Sequence, residues 1–170
     1  TVLAVTSKGI YRLGAGGKVS DRWWSGAQEE KQLPYDDLHH CYVDQQGIFW
    51  ISTRGAGLVC FDPATGKHQQ YSMRNGFPNN MVYAAYEDKN GQLWLPTDGG
   101  IVQFDKHTRQ SVVFTTADGI THDEFNRLAH AQAQCDAWAG QGLPVRLAFT
   151  RLALDLKPGD SVEAVARDAR

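Results

Sequence analysis

Two stretches of the chain spell out the same pattern of residues, 44 positions apart: Pro34, Asp44, Gly47, Trp50 and Thr53 recur as Pro78, Asp88, Gly91, Trp94 and Thr97. A partial third copy opens the chain. There Leu3-Ala4-Val5-Thr6 and Gly9-Ile10-Tyr11 match Trp50-Ile51-Ser52-Thr53 and Gly57-Leu58-Val59. A period of roughly 40–45 residues built from short strands and turn residues marks propeller blades, which bury their apolar faces by stacking on one another. The expected fold class is therefore mainly β: a partial β-propeller of two to three four-stranded blades over residues 1–126.

Each unit divides into four β segments. In the later full copy they are expected at 81–88, 92–97, 101–105 and 111–115. Asn90-Gly91 supplies a hairpin signal between the first two, and Asp118-Gly119 hands the chain onward. Leu93 and Leu95 alternate with Trp94 and Pro96, the period of a strand. The preceding copy has its strands at 41–44, 48–53, 57–61 and 67–72, and the opening copy at 3–6, 9–11 and 19–24.

Composition narrows the function classes. Seventeen basic and 19 acidic residues leave a net charge of −2, and no block of like charge is present. A nucleic-acid or anionic-membrane surface needs a basic footprint, so neither partner is expected. The three cysteines, Cys41, Cys60 and Cys135, are odd in number and lack metal-ligand spacing. They are expected to be buried free thiols, the alternative being one disulfide and one thiol. No signal-peptide pattern and no apolar run near about 18 residues occurs, so no membrane span is expected. The chain opens inside a strand-like segment, which suggests a piece of a longer protein.

The repeats also carry a family resemblance. Phe49-Trp50-Ile51-Ser52-Thr53, the run from Gly57 through Asp62-Pro63-Ala64-Thr65-Gly66, and Gly76-Phe77-Pro78-Asn79-Asn80 together resemble the two-component regulator propeller repeat. The resemblance implies a periplasmic sensor β-propeller of the kind found in hybrid histidine kinases and cyclic-di-GMP signalling receptors. Phe114 to Ile120 and Glu124-Phe125-Asn126-Arg127 resemble the segment where such propellers finish.

After Asn126 the pattern changes, and residues 127–170 are expected to form a short helix–strand–helix tail. Asp123 or Thr121 is placed to cap its first helix, and Asp160 with Glu163 its last. Residues 131–167 resemble the early part of an EAL-type cyclic-di-GMP phosphodiesterase domain, on Gln134 to Trp138, Gly142 to Ala148 and Ala153 to Leu156. That family's strand ends in Val-Asn-Leu-Ser, whose Asn binds metal, whereas Phe149-Thr150-Arg151-Leu152 stands here. No phosphodiesterase site is therefore expected in this chain, and the junction reads as a fragment or a fusion.

Four groups of residues are candidates for chemistry. His39-His40 near Asp36-Asp37 offers metal donors, but neighbours on a strand point to opposite faces. The pair is read as polar residues at a strand start, and no metal is expected. Trp23-Trp24 is read as packing between blades, and Gly14-Ala15-Gly16-Gly17-Lys18 as a hairpin, since the P-loop spacing and its helix are both missing. The fourth group is the rim, where the loop before the first strand and the loop between the second and third strands share one face. It supplies Tyr35, Asp36, His39, Arg54, Asn79, Asn80, Asp98, His122 and Asp123 as expected ligand-binding residues. Asn79 and Asn80 read equally well as turn residues.

The function expected is a noncatalytic sensing module holding a small molecule or glycan, with no cofactor and no catalytic residue. One alternative is a phosphodiesterase-related protein with its catalytic part truncated. Another is a propeller lyase, which would need a histidine such as His39 or His122 beside a rim acid, and a third is a structural fragment. Family resemblance implies the periplasm for the propeller, with the cytoplasm as the alternative if the tail is genuine. Two to three blades leave edge strands and blade faces open, which favours self-association. Light scattering is expected to find oligomers, and a clean monomer with a cooperative melt would contradict this.

Overall fold

The computed structural model describes residues 2–120 and 122–125. The expected helix–strand–helix tail, its EAL-type likeness, Thr121 and Cys135 lie outside the described residues. Among the described residues, eleven strands form three antiparallel sheets: β1 (Val2–Thr6), β2 (Gly9–Leu13) and β3 (Val19–Trp23); β4 (Leu38–Val43), β5 (Phe49–Thr53), β6 (Leu58–Phe61) and β7 (His68–Tyr71); and β8 (Tyr86–Glu87), β9 (Gln92–Thr97), β10 (Gly100–Asp105) and β11 (Ser111–Phe114). Each sheet pairs its strands in chain order. These are the expected blades, two of them four-stranded and the opening one three-stranded.

The middle blade is apolar on both faces. Along β5, Phe49 and Ile51 join Ile10, Trp23, Leu33, Leu38, Val59 and Phe61 in the core shared with the first blade. Trp50 points the other way, into a core with Leu58, Tyr71, Phe77, Val82, Leu93, Leu95, Val102 and Phe104. Trp23 meets Phe49 edge to face at 5.0 Å, so it packs between blades as expected. Trp24 is half-buried with the Arg22 guanidinium 4.4 Å from its ring.

Polar side chains hold the turns in register, and they recur with the repeat. Asp44 Oδ1 accepts from the backbone N–H of Gln46 and of Ile48, both at 3.0 Å, while Oδ2 accepts from Trp50 Nε1 at 2.8 Å. Asp88 repeats this with Asn90, Gln92 and Trp94 at 2.8, 3.0 and 3.0 Å. At the next turn Thr53 Oγ1 accepts from Ala56 N–H and donates to the Gly57 carbonyl. Thr97 does the same with Gly99 and Gly100, and Thr6 with Lys8 and Gly9. A Cβ on Gly57, at φ +82°, would lie 2.1 Å from the Tyr71 carbonyl oxygen, and one on Gly100 2.3 Å from that of Phe114. The repeated Gly follows from this close approach of the third and fourth strands.

One expectation fails at the inner strands. The segment 81–88 was expected to be one strand, but only Tyr86–Glu87 is continuous, with an isolated bridge between Val82 and Thr97. The pairing slips by one residue between Val82↔Thr97 and Tyr86↔Trp94. β4 slips in the same way between Leu38↔Thr53 and His40↔Ser52. An extra residue in one strand is a β-bulge, which bends the strand and re-aims side chains. Pro96 contributes to the gap, since it has no N–H to give to the ladder.

Cys41 and Cys60 are free thiols, and burial pushes the Cys41 thiol up to about 12. Gly14 to Lys18 closes a hairpin through Gly14 N–H and the Lys18 carbonyl at 2.8 Å. The Asp44 carboxylate serves three donors, one on the buried indole of Trp50. Replacing it (Asp44→Ala) is expected to cost about 3 kcal/mol in urea unfolding, and Asp88→Ala about half of that, because Asp88 and Trp94 are less deeply buried.

Candidate functional site

The bulge in β4 decides the geometry of the rim. Neighbouring histidines were expected on opposite faces, yet both reach the same stretch of the next blade, because the extra residue interrupts the alternation. His39 Nδ1 lies 3.0 Å from the Val82 carbonyl. A carbonyl only accepts, so Nδ1 carries the proton. The same ring stacks on Tyr83 at 5.1 Å with the planes 11° apart.

Tyr83 continues the chain of contacts. Its hydroxyl donates to Asp98 Oδ1 at 2.7 Å, so the first strand of the third blade is tied to its own turn between β9 and β10. Burial is the main cause that pushes the phenol up to about 12; the hydrogen bond to Asp98 and that carboxylate's charge add to it, and Arg54 opposes. Arg54 completes the group from the corresponding turn of the middle blade. Its Nε is 3.5 Å from Asp37 Oδ1, with both side chains 59% exposed, and its backbone N–H donates to the Asp37 carbonyl at 2.9 Å.

His39, Arg54 and Asp98, three of the expected rim residues, are thus gathered at the seam of two blades. The others are placed differently. Tyr35 donates to Gln70 Oε1 on the outer strand β7 at 3.0 Å, and Asp36 accepts from the N–H and hydroxyl of Ser25. Asn79 Oδ1 accepts from Met81 N–H at 2.8 Å, and Asn80 Oδ1 from Met73 N–H at 2.9 Å. Both asparagines therefore do the work of turn residues. The Asp123 carboxylate accepts from the N–H and hydroxyl of Thr116, and His122 is exposed. Tyr83 was missed. Its signal is its place in the repeat, 44 residues after His39, at the position where the inner strand meets the rim.

The opposite end of the seam is a cross-tie. Lys106 Nζ lies 2.7 Å from Glu87 and 3.9 Å from Asp44, with its side chain only 10% exposed. Tyr42 donates to Glu87 Oε2 at 2.7 Å; burial first, then this bond, raises its pKa. A polar cleft of about 410 Å³ opens there, with Glu87 and Lys106 in its lining already paired. No cluster of three or more His, Cys, Asp or Glu side chains among the described residues is arranged to hold a metal.

His39 Nε2 and Asp98 Oδ2 have no protein partner among the described residues, and the Arg54 guanidinium lies 3.5 Å from the Asp37 carboxylate. Acceptors and an exposed cation thus stand beside two stacked rings. A phenol pushed up to about 12 keeps its proton at neutral pH, which suits it to hydrogen bonding and makes it a poor general base.

Residues 76–98 match the family profile of the two component regulator propeller. No curated protein matches the chain. Among solved structures, it is similar to the extracellular domain of the hybrid two component system BT3049 from B. thetaiotaomicron, at 25% identity and a TM-score of 0.60. That likeness covers 72% of this chain and 16% of the other, so the chain spans about a sixth of that relative's length. The extracellular domain of the one component system BT4673 from the same organism matches at 26% identity and a TM-score of 0.42, over 66% of this chain and 17% of that one. The architecture is that of consecutive β-propeller blades.

The Tyr83 geometry sets a spectroscopic expectation. In the Asp98→Asn variant, the phenol loses an anionic acceptor and its pKa is expected to fall toward the ordinary 10, stopping short because burial persists. Ultraviolet titration against Tyr83→Phe reads this directly. An unchanged titration would show that Asp98 contributes nothing.

Proposed function

We propose that the chain is a noncatalytic, ligand-sensing part of a bacterial propeller receptor, and that the seam formed by His39, Arg54, Tyr83 and Asp98 holds the ligand. The observation that carries this reading is the convergence of three sequence-distant elements on one rim, within a repeat matching the two component regulator propeller. Ligand-binding groups are commonly borne on loops of a rigid scaffold, and a blade seam is such a place. Asn79 and Asn80 shape the loop that leads into Val82 and Tyr83.

The ligand class that fits is a small hydroxyl-rich molecule or glycan. Free acceptors on His39 and Asp98 suit hydroxyl donors, the Arg54 cation suits an acceptor or anionic group, and aromatic rings offer an apolar surface to a sugar face. A two-component output is the reading that the similar extracellular domains favour, and a periplasmic placement accompanies it. A cyclic-di-GMP output is supported by the repeat resemblance and by the EAL-type likeness of residues 131–167. No helix among the described residues is long and apolar enough to cross a membrane.

Calorimetric or NMR screening against neutral and acidic oligosaccharides tests the reading. A hit is expected to weaken at least tenfold in Arg54→Ala and in Asp98→Ala, with the melting temperature little changed, since both groups are partly exposed. A hit equally strong in both variants would place the ligand elsewhere. Conversion of an oligosaccharide with time would overturn the noncatalytic assignment.

A further inference from the structure

His39 and His40 tie the middle blade to the third through bonds of opposite polarity. His39 Nδ1–H donates to the Val82 carbonyl at 3.0 Å. His40 Nδ1 stands 3.3 Å from the backbone N–H of Ala85. An N–H only donates, so His40 Nδ1 must be bare and its proton must sit on Nε2. Adjacent residues on one strand are thereby held in opposite tautomers by the next blade, an arrangement made reachable by the bulge that turns both rings the same way.

The two ties respond differently to acid. Protonation of His39 adds a proton at Nε2 and leaves its bond to Val82 intact. Protonation of His40 must occur at Nδ1, the atom that accepts from Ala85, and would set one N–H against another. We infer that the joint between these blades is proton-sensitive: neutral His40 locks it, and uptake of a proton by that ring releases Ala85 while Val82 stays bound.

The surroundings offer the imidazolium little compensation. On the facing segment of the third blade, the Tyr86 ring lies 5.5 Å from the His40 ring, and Glu87 is already engaged by Tyr42 and Lys106. Across β5 the partner is Ser52, which does not ionise. On β4 itself the titratable neighbours are His39, Cys41 and Tyr42. Burial, with no neighbouring charge contributing, holds the His40 pKa below its ordinary 6.5. The released joint binds the proton more readily than the closed one. Closure is therefore fully supported above about pH 6.5, and support is lost as the pH falls from there toward the depressed value.

The consequence reaches the rim. Tyr83 lies between the two tied residues Val82 and Ala85 in the chain, so releasing Ala85 loosens the segment that carries the phenol stacked on His39. The joint stands on its own geometry and does not depend on the ligand proposal.

Nitrogen-15 NMR of the histidine rings in the whole chain, with amide exchange at several pH values, tests the inference. At pH 7.5 His40 is expected as the Nε2–H tautomer and His39 as the Nδ1–H tautomer. Between pH 7 and pH 5 the protection factor of the Ala85 amide is expected to fall about tenfold. The Gly57 amide, bonded to the Asn80 carbonyl at 2.8 Å, should hold. His40→Asn keeps an acceptor that does not titrate and is expected to abolish the step, whereas His39→Asn should retain it. A step that survives in His40→Asn, or a flat Ala85 profile in the unaltered chain, would overturn the proposal. If His40→Asn fails to fold, the ring tautomer decides: Nδ1–H on His40 at pH 7.5 would sink it.

Discussion

A blade inside a stack has two apolar faces and cannot hide either of them alone. That constraint governs the molecule. β5 is buried along its whole length, with Phe49 and Ile51 turned to one neighbour and Trp50 to the other. Burying a large aromatic or aliphatic side chain is worth about 1.5–3 kcal/mol. The cores between blades therefore supply most of the drive to fold, and each depends on the adjacent blade being present. Polar side chains then act where that burial would strand hydrogen-bonding groups. The Asp44 carboxylate takes up the indole N–H of Trp50 together with two turn amides, so that buried indole keeps its donor satisfied.

The inner strands meet the same constraint in another way. Around Val82 to Ala85 the ladder within the blade is interrupted, and the freed backbone groups bond to the preceding blade. Val82 N–H donates to the Thr53 carbonyl at 3.1 Å, the Val82 carbonyl accepts from His39, and Ala85 N–H donates to His40. Backbone groups near the axis of the stack thus become cross-ties between blades. That exchange explains why the rim is a seam: the same irregularity that breaks the strand brings His39, Tyr83 and Asp98 together.

The outer three strands of each blade were legible to within about a residue or two at their ends. Their signals are local: an Asn-Gly turn, an apolar alternation, a glycine under a carbonyl. The inner strands were less so. A bulge leaves no mark in composition, and the alternation rule applied to His39 and His40 gave opposite faces where the fold gives one. The rim was named from loop positions, and of the residues so named His39, Arg54 and Asp98 lie at the seam. Tyr83 escaped because it looks like an ordinary strand aromatic until the stack on His39 is seen.

The repeat by itself determined the kind of unit, its strand order and the turn chemistry, because those depend on residues close in sequence and recur in each copy. Asp44 and Asp88, Thr6, Thr53 and Thr97, and Gly9, Gly57 and Gly100 carry that information without any neighbour. Only the tertiary structure decided which residues face each other across the seam. Val82, Tyr83 and Ala85 are more than forty residues from the histidines they meet. Their pairing is set by how one blade packs on the next, and by a one-residue slip that no local preference encodes.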